Sequence, residues 1–110
     1  MSTDIDIAWG TGVFEGNGCI TIPHGAPSLY IDMTDEDVLR RVVAIFGGNV
    51  TGPTYRAGCK PVYHWRLDEV KPVQAILRRM WPYLGERRRA RAAEMIAKYY
   101  GVPVYRRRGR

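Results

Sequence analysis

Gly10-Thr11-Gly12-Val13-Phe14-Glu15-Gly16-Asn17-Gly18 is the stretch that decides the fold of this chain. Each glycine in a helix interior costs about 1 kcal/mol relative to alanine. Residues 4–15 nevertheless predict a helix, since acidic residues in its first turn suit the N-terminal end of the helix dipole. Gly12 and Gly16 are one turn apart, on the face that carries Trp9. We therefore predict a helix that ends at Asn17 and lets a second helix approach closely.

The composition is that of a small, basic globular protein. The chain has 110 residues, 45% of them hydrophobic, which suits one domain with a modest core. Its net charge of +6 points to a polyanion such as nucleic acid, but charge alone is equally compatible with a protein that is merely basic. Two cysteines make no disulfide framework at this length, and we find neither a signal peptide nor a membrane span. We expect one domain over residues 1–101, a basic tail over 102–110, no membrane partner, and a cytoplasmic location in a bacterial or phage-infected cell.

Alternation of apolar and polar residues predicts two β-hairpins. The first comprises residues 18–22 and 28–33, joined by a turn at residues 24–27. The second comprises residues 49–55 and 62–67. One face of each hairpin is apolar and the other is polar, so we expect each to cover a core on one side.

Three further helices are predicted around the second hairpin. Residues 34–37 resemble a capping box that begins the second helix, which glycines end at residues 47–48. The third helix has Pro72 in its first turn and is broken at Pro82. The fourth runs from Glu86 to Tyr100, and its predicted buried stripe is Ala93, Ile96, Ala97 and Tyr100.

The order αββαββαα predicts an α+β fold in which a four-stranded, mostly antiparallel sheet has its helices on one face. The other face is polar, aromatic and partly basic. It is predicted to carry Cys19, Thr21, Ser28, Tyr30, Asp32, Thr51, Tyr55, Val62, His64 and Arg66. A solvated face is one interpretation, since antiparallel sheets often have one. The basic charge favours the other interpretation, a nucleic-acid surface.

This pattern resembles the single-motif LAGLIDADG homing endonucleases. Gly12, Glu15 and Gly18 match the nine-residue motif, and residues 82–91 are similar to the family's turn and basic helix. The resemblance implies a homodimer whose motif helices pack on a two-fold axis, here through Trp9, Gly12, Val13 and Gly16. It also implies a saddle-shaped sheet in the major groove of double-stranded DNA at a pseudo-palindromic site.

The resemblance further implies metal-dependent phosphodiester cleavage, with a divalent cation, Mg²⁺, at the end of the motif helix beside Gly16. The metal-binding position is normally a carboxylate, but this chain has Asn17 there. An amide offers only a neutral oxygen, so we expect weak metal binding and loss of efficient cleavage. The chain is then either an inactive or specialised relative, or one in which an engineered Asn17 traps uncut DNA.

Other site residues also follow from the resemblance. Arg87 aligns with the family's basic active-site residue, where it would stabilise phosphate charge, or it serves as one phosphate anchor among several. Asp35 lies near a position that orients water in relatives, although helix capping explains it equally. Contacts to DNA are expected from Thr21, Ser28, Tyr30, Asp32, Thr51, Tyr55, His64, Arg66, Arg88 and Arg91. Among these, Arg66 suits guanine and Asp32 suits cytosine N4.

Alternatives remain at two levels. The spacings Cys19-x4-His24 and Cys59-x4-His64 are compatible with zinc only if a turn separates the members of each pair, since residues five apart on a strand face opposite sides. The function is that of a homing endonuclease, of a non-cleaving DNA-binding regulator, or of an RNA-binding maturase on the same fold. Mg²⁺-dependent nicking separates the first two, and preference for structured RNA identifies the third.

Overall fold

The computed structural model describes residues 3–21 and 27–96. Along the chain lie α1 (Asp4–Asn17), β1 (Gly18–Thr21), β2 (Ser28–Met33), α2 (Glu36–Phe46), β3 (Asn49–Thr54), β4 (Val62–Leu67), α3 (Val70–Met80) and α4 (Glu86–Ile96). A 3-10 turn, Trp81–Tyr83, joins α3 to α4. This order confirms the predicted αββαββαα arrangement. The predicted first turn at 24–26, helix end at Tyr100 and tail 102–110 lie outside the described residues.

The four strands form one antiparallel sheet in the order β1-β2-β4-β3, so β1 and β3 are its edges. Leu29, Ile31 and Trp65 are fully buried, as the alternation predicted, because they share the face that packs on the helices. Trp65 also donates a hydrogen bond from Nε1 to the Gly47 carbonyl (2.8 Å), so the end of α2 is attached to β4.

One hydrophobic cluster joins all four helices to the same face of the sheet. Its buried members are Ile7, Phe14, Ile20, Leu29, Ile31, Leu39, Val42, Phe46, Trp65, Leu67, Val73, Ile76, Leu77, Met80, Leu84, Ala92 and Met95. The helices therefore cover one face and leave the opposite face of the sheet open, as predicted. None of the described helices combines the length and apolar character needed to cross a membrane.

The glycines of the motif stretch divide into two pairs with opposite surroundings. A β-carbon at Gly10 would lie 2.8 Å from the ring of Phe46, and one at Gly18 would overlap the ring of Phe14. Apart from the adjacent backbone of α1 itself, a β-carbon at Gly12 or Gly16 would meet no atom of the described residues within 4 Å. Gly10 and Gly18 thus allow close packing inside the domain, whereas the other pair lies on an open surface.

The predicted capping box at the start of α2 is wrong. Asp35 is the N-cap residue, but its side chain makes no capping hydrogen bond. A capping box occurs instead at the start of α1, where Thr3 Oγ1 accepts from the Asp6 N–H (3.1 Å) and Asp6 Oδ2 accepts from the Thr3 N–H (3.2 Å). Residues 3–6 and 34–37 share the same Thr-x-x-Asp pattern, so the pattern alone does not determine which of the two forms the box.

The predicted buried stripe of α4 is also wrong where the structure describes it. Ala93 is exposed, whereas Ala92 and Met95 are fully buried. The helix is rotated by one residue because Arg88 and Arg91 turn towards the backbone of β1, and Ala92 and Met95 then share the inward side. The remaining predicted members, the side chain of Ile96 and residues 97 and 100, lie outside the description.

Gly10→Ala is expected to destabilise the domain by up to about 2 kcal/mol, because overpacking against Phe46 costs about 1–3 kcal/mol and the better helix propensity of alanine offsets about 1 kcal/mol of this. The penalty is expected to shrink in a Phe46→Leu background, where the ring is gone. Chemical denaturation of the four proteins of this double-mutant cycle measures both effects. An equal penalty in the two backgrounds would show that the Gly10–Phe46 contact is not its cause.

Candidate nucleic-acid interface

Helix α1 ends where the chain enters the sheet. Asn17 is its last residue, and the Gly18 N–H donates to the Phe14 carbonyl before β1 begins. Gly16 and Asn17 are both exposed. Gly18 pairs with Ile31 of β2, so Asn17 leaves the helix beside the strand that carries Asp32.

Glu15 connects the end of α1 to the beginning of α4. Its Oε1 accepts a hydrogen bond from the Gly85 N–H (2.7 Å), one residue before α4, and its Oε2 lies 3.7 Å from Arg88 Nη1. Both side chains are largely covered, with 26% of Glu15 and 16% of Arg88 exposed. Both partners of Glu15 are 70 or more residues away in the sequence, so this contact connects distant parts of the chain.

The basic helix uses two of its arginines to hold the edge strand. Arg88 donates to the Gly18 carbonyl, and Arg91 Nε donates to the Ile20 carbonyl (3.5 Å). These carbonyls are two residues apart, so they face the same edge of β1. Arg88 and Arg91, predicted as DNA contacts, therefore have structural partners, and a DNA role for either stays a prediction.

Arg87 differs from its neighbours. It is exposed and, within the described residues, makes no hydrogen bond or ion pair. Together with Arg88 and Arg91 it lines a shallow depression that includes Gly18 and Cys19, directly after Asn17. A free guanidinium at this position can bind a phosphate without giving up an existing contact.

Asn17 and its surroundings provide a poor donor set for Mg²⁺. Within residues 3–21 and 27–96 there is no group of three or more His, Cys, Asp or Glu side chains that could hold a metal ion. Glu15, the acidic residue nearest in sequence, already accepts from Gly85 and faces Arg88. The available oxygens at the helix end are the neutral Asn17 amide and the Gly16 carbonyl, which do not fit a tightly bound divalent cation.

The zinc alternative gains no support from the described residues. Cys19 and Cys59 are both free and exposed. His24 lies outside the described residues. His64 has two other partners, Asp32 and Thr54, which leave neither ring nitrogen open.

The surface opposite the core, here called the outer face, places predicted DNA contacts in register across the strands. Tyr30 of β2 lies between Cys19 of β1 and Arg66 of β4, and Arg66 lies opposite Asn49 of β3. The next row consists of Asp32, His64 and Thr51. Adjacent rows of donors and acceptors on an uncovered sheet can contact successive base pairs.

Arg66 and Tyr30 form one contact group on the outer face. The Arg66 guanidinium carbon lies 5.4 Å from the centre of the Tyr30 ring, and Nη1 lies 4.0 Å from Asp68 Oδ1. A hydrogen bond with Cys19, followed by the Cys19 charge and desolvation, raises the pKa of Tyr30. The Tyr30 hydroxyl therefore keeps its proton and remains a hydrogen-bond donor at neutral pH.

Ser28 does not belong to the exposed set. It is 1% exposed and donates to Asp68 Oδ1 (2.7 Å), so the prediction that it is an accessible DNA contact is wrong. The predicted alternation holds along β2. Asp68, which follows β4, accepts a hydrogen bond from the Ser28 hydroxyl at the start of β2 and covers it. Sequence gives no signal for this contact, since 40 residues separate the two.

A bulge in β3 changes which residues reach the outer face. Thr51 pairs with His64, but the register shifts before Thr54, which pairs with Val62. Gly52 has φ of 110°, and a β-carbon there would lie 2.9 Å from the Val62 carbonyl oxygen. Thr54 therefore joins Thr51 on the outer face. Strict alternation missed it, although a Gly-Pro pair inside a strand is a recognised sign of a bulge.

Tyr55 follows strand β3 and is 73% exposed. Desolvation, followed by the charges of Glu36 and Tyr55, raises the pKa of Tyr63. A contact between Tyr55 and DNA stays a prediction. Thr21 is half-buried at the end of β1, and Thr51 is exposed.

Asp32, His64 and Thr54 form a continuous hydrogen-bonded chain. Asp32 Oδ1 lies 2.8 Å from His64 Nδ1, and Thr54 Oγ1 lies 2.7 Å from His64 Nε2. Each comes from a different strand, and the His64 side chain is 30% exposed. Two residues predicted to contact DNA independently are thus joined to each other and to a third.

The exposed side of α1 carries the predicted dimer residues. Gly12 and Gly16 are open, Val13 is partly buried against the core, and Trp9 is covered on one side by Arg41, whose guanidinium carbon lies 3.9 Å from the ring centre. Ile5, one turn before Trp9, is 79% exposed. The stripe is therefore available for a partner.

Solved structures with the same arrangement are homing endonucleases. I-CvuI, in complex with DNA, has a TM-score of 0.65 and 21% identity, covering 84% of this chain and 64% of its own. I-CeuI, a group I intron-encoded enzyme complexed with DNA, has a TM-score of 0.67 and 15% identity, covering 88% and 55%. I-TnaI has a TM-score of 0.58 and 20% identity, covering 83% and 69%. This chain has the LAGLIDADG homing endonuclease fold.

The likeness is one of architecture. No family model and no curated protein matches the chain. The aligned region spans less than two thirds of I-CvuI and of I-CeuI. Identity of 15–21% establishes the LAGLIDADG fold, and the chemistry of this chain has to be argued from its own residues.

Glu15→Ala is expected to lower the free energy of unfolding by about 1–3 kcal/mol, because it leaves the Gly85 N–H without its acceptor and the largely covered Arg88 without its carboxylate. Glu94→Ala is the matched control, since Glu94 pairs with Arg91 of the same helix at 3.0 Å but is 64% exposed. Its expected effect is within about 0.5 kcal/mol. Equal effects in urea denaturation would rule out a special role for the Glu15 connection.

Proposed function

We propose that this protein binds a specific double-stranded DNA site as a homodimer, and that Asn17 prevents efficient metal-dependent cleavage. The observation that carries the proposal is the outer face, where Tyr30, Asp32, His64 and Arg66 lie in register on a sheet that no described helix covers. A sheet of this kind can enter the major groove, where base edges carry a distinct pattern of donors and acceptors.

Charge supports a DNA partner. The chain carries 17 lysines and arginines against 11 acidic residues. Arg66 can contact a guanine from the outer face, and the unpaired Arg87 can contact a phosphate near the end of α1. The I-CvuI and I-CeuI structures are complexes with DNA, which agrees with this proposal.

The α1 stripe supports the homodimer. A two-fold interface uses the same surface on both copies, and Gly12 and Gly16 would let two α1 backbones come close. Trp9 and the exposed Ile5 would supply apolar area beside them. The two outer faces would then present equivalent residues to the two halves of a pseudo-palindromic site.

Asn17 supports binding without efficient cleavage. I-CvuI complexes contain DNA in the presence of Mg in one structure and Ca in another. In this chain, the neutral oxygens of Gly16 and Asn17 replace the charged ligand that a hard cation prefers. A symmetric dimer carries the replacement twice.

Gly12→Leu is expected to convert the dimer to a monomer at micromolar concentration, because the larger side chain separates the two helices. Ala44→Leu, on the exposed side of α2, is the control and should leave the mass unchanged. Sedimentation velocity measures the outcome. A monomeric parent protein, or a Gly12→Leu variant that still dimerises, would contradict this interface.

Selection from randomised duplex DNA is expected to yield one pseudo-palindromic site. On that site, Asn17→Asp should raise the rate of Mg²⁺-dependent cleavage by at least about tenfold, since groups that only support a metal ligand already contribute 10–100-fold. Gln74→Glu makes the same amide-to-carboxylate change on α3, on the helical side of the sheet, and should leave cleavage unchanged.

Two outcomes would oppose the proposal. Equal cleavage by the parent and Asn17→Asp would refute the assignment of the metal position. Failure to select any duplex, with binding of structured RNA instead, would refute DNA as the partner and favour the maturase function.

A further inference from the structure

The hydrogen-bonded chain Asp32–His64–Thr54 has a defined direction. A carboxylate can only accept, so the hydrogen between Asp32 Oδ1 and His64 Nδ1 belongs to the ring. A neutral imidazole with its hydrogen on Nδ1 has a bare Nε2, which can only accept. Thr54 must then donate its hydroxyl hydrogen to Nε2 across the 2.7 Å contact.

This direction determines what Thr54 offers to a ligand. A free threonine hydroxyl can donate or accept, and so it distinguishes bases poorly. Once its hydrogen is committed to His64, the exposed Thr54 oxygen presents only lone pairs. An oxygen of this kind can contact an amino group but not a carbonyl or ring nitrogen.

The bulge in β3 decides which threonine contacts His64 Nε2. Thr51 is three residues away on the same face and opposite His64 in register, yet the contact to Nε2 comes from Thr54 because of the bulge. The chain draws on three strands, β2, β4 and β3, so its geometry depends on the register of the whole sheet rather than on one flexible side chain.

We propose that Thr54 is a specificity residue, which the Asp32–His64 pair holds as a pure hydrogen-bond acceptor that selects a base carrying an amino group in the major groove. Adenine N6 and cytosine N4 are the two such groups. On the strand that Thr54 contacts, each half-site of the bound DNA would therefore require A or C rather than G or T at that position. This inference rests on the proposed DNA-binding function and adds a base class to it.

The direction of the hydrogen bonds can be measured without DNA. Imidazole ¹⁵N NMR in mildly alkaline buffer reports which ring nitrogen carries the hydrogen. The sequence contains two histidines, so His64→Gln assigns the signals of His64. We expect the hydrogen on Nδ1 in the parent and a shift towards Nε2 in Asp32→Ala. A parent ring with its hydrogen on Nε2 would overturn the proposal.

The base preference is measured by selection from randomised duplex DNA with three variants. Thr54→Val keeps the shape but removes the oxygen, and should reduce the preference for A or C at one position of each half-site about fivefold. Thr54→Ser should keep that preference. Thr51→Val, the matched change on the same strand and face, should leave that position unaltered.

The outcomes separate the two proposals. An unchanged preference in Thr54→Val overturns the specificity role while DNA binding stands. If neither the parent protein nor any variant selects a duplex, the proposed DNA-binding function is refuted. The specificity role of Thr54 is then refuted as well, regardless of the NMR result.

Discussion

The packing of α1 on the core positions every other part of the candidate site. Ile7, Gly10 and Phe14 are buried in that contact, and Gly10 is needed because the ring of Phe46 occupies the space of a β-carbon. The helix therefore presents its opposite side, with Gly12 and Gly16, away from the domain. The same packing determines where Asn17 lies and where β1 enters the sheet.

The basic helix has a structural task as well as a charge. Glu15 accepts from the Gly85 N–H at the start of α4, and Arg88 and Arg91 donate to carbonyls on the outer edge of β1. Exposed edge carbonyls of a sheet are a template for pairing with other chains, so these arginines also protect the edge. Three α4 arginines are among the predicted site residues, namely Arg87, Arg88 and Arg91. Of these, only Arg87 has a guanidinium without a partner within the described residues.

Polar side chains on the outer face contact one another, so none of them meets a ligand independently of its neighbours. Asp32 and His64 are hydrogen-bonded to each other, and Thr54 is hydrogen-bonded to the other ring nitrogen of His64. Arg66 lies over Tyr30 and near Asp68, which also holds Ser28. Such contacts restrict side-chain freedom before any ligand arrives and lower the entropy lost on binding.

The order of helices and strands, the inner face of the sheet and the open stripe on α1 were predictable from sequence, because periods of two and 3.6 residues report burial directly. Asn17 was identified as the metal position through the resemblance of residues 10–18 to the family's motif, since periodicity indicates only where the helix ends. Tertiary structure decided the rest. The burial of Ser28 by Asp68, the rotation of α4 and the link from Glu15 to Gly85 join residues 40 or 70 positions apart. The bulge that brings Thr54 to His64 depends on pairing between β3 and β4. A bulge is an extra residue relative to the partner strand, so the alternation along β3 alone does not reveal it.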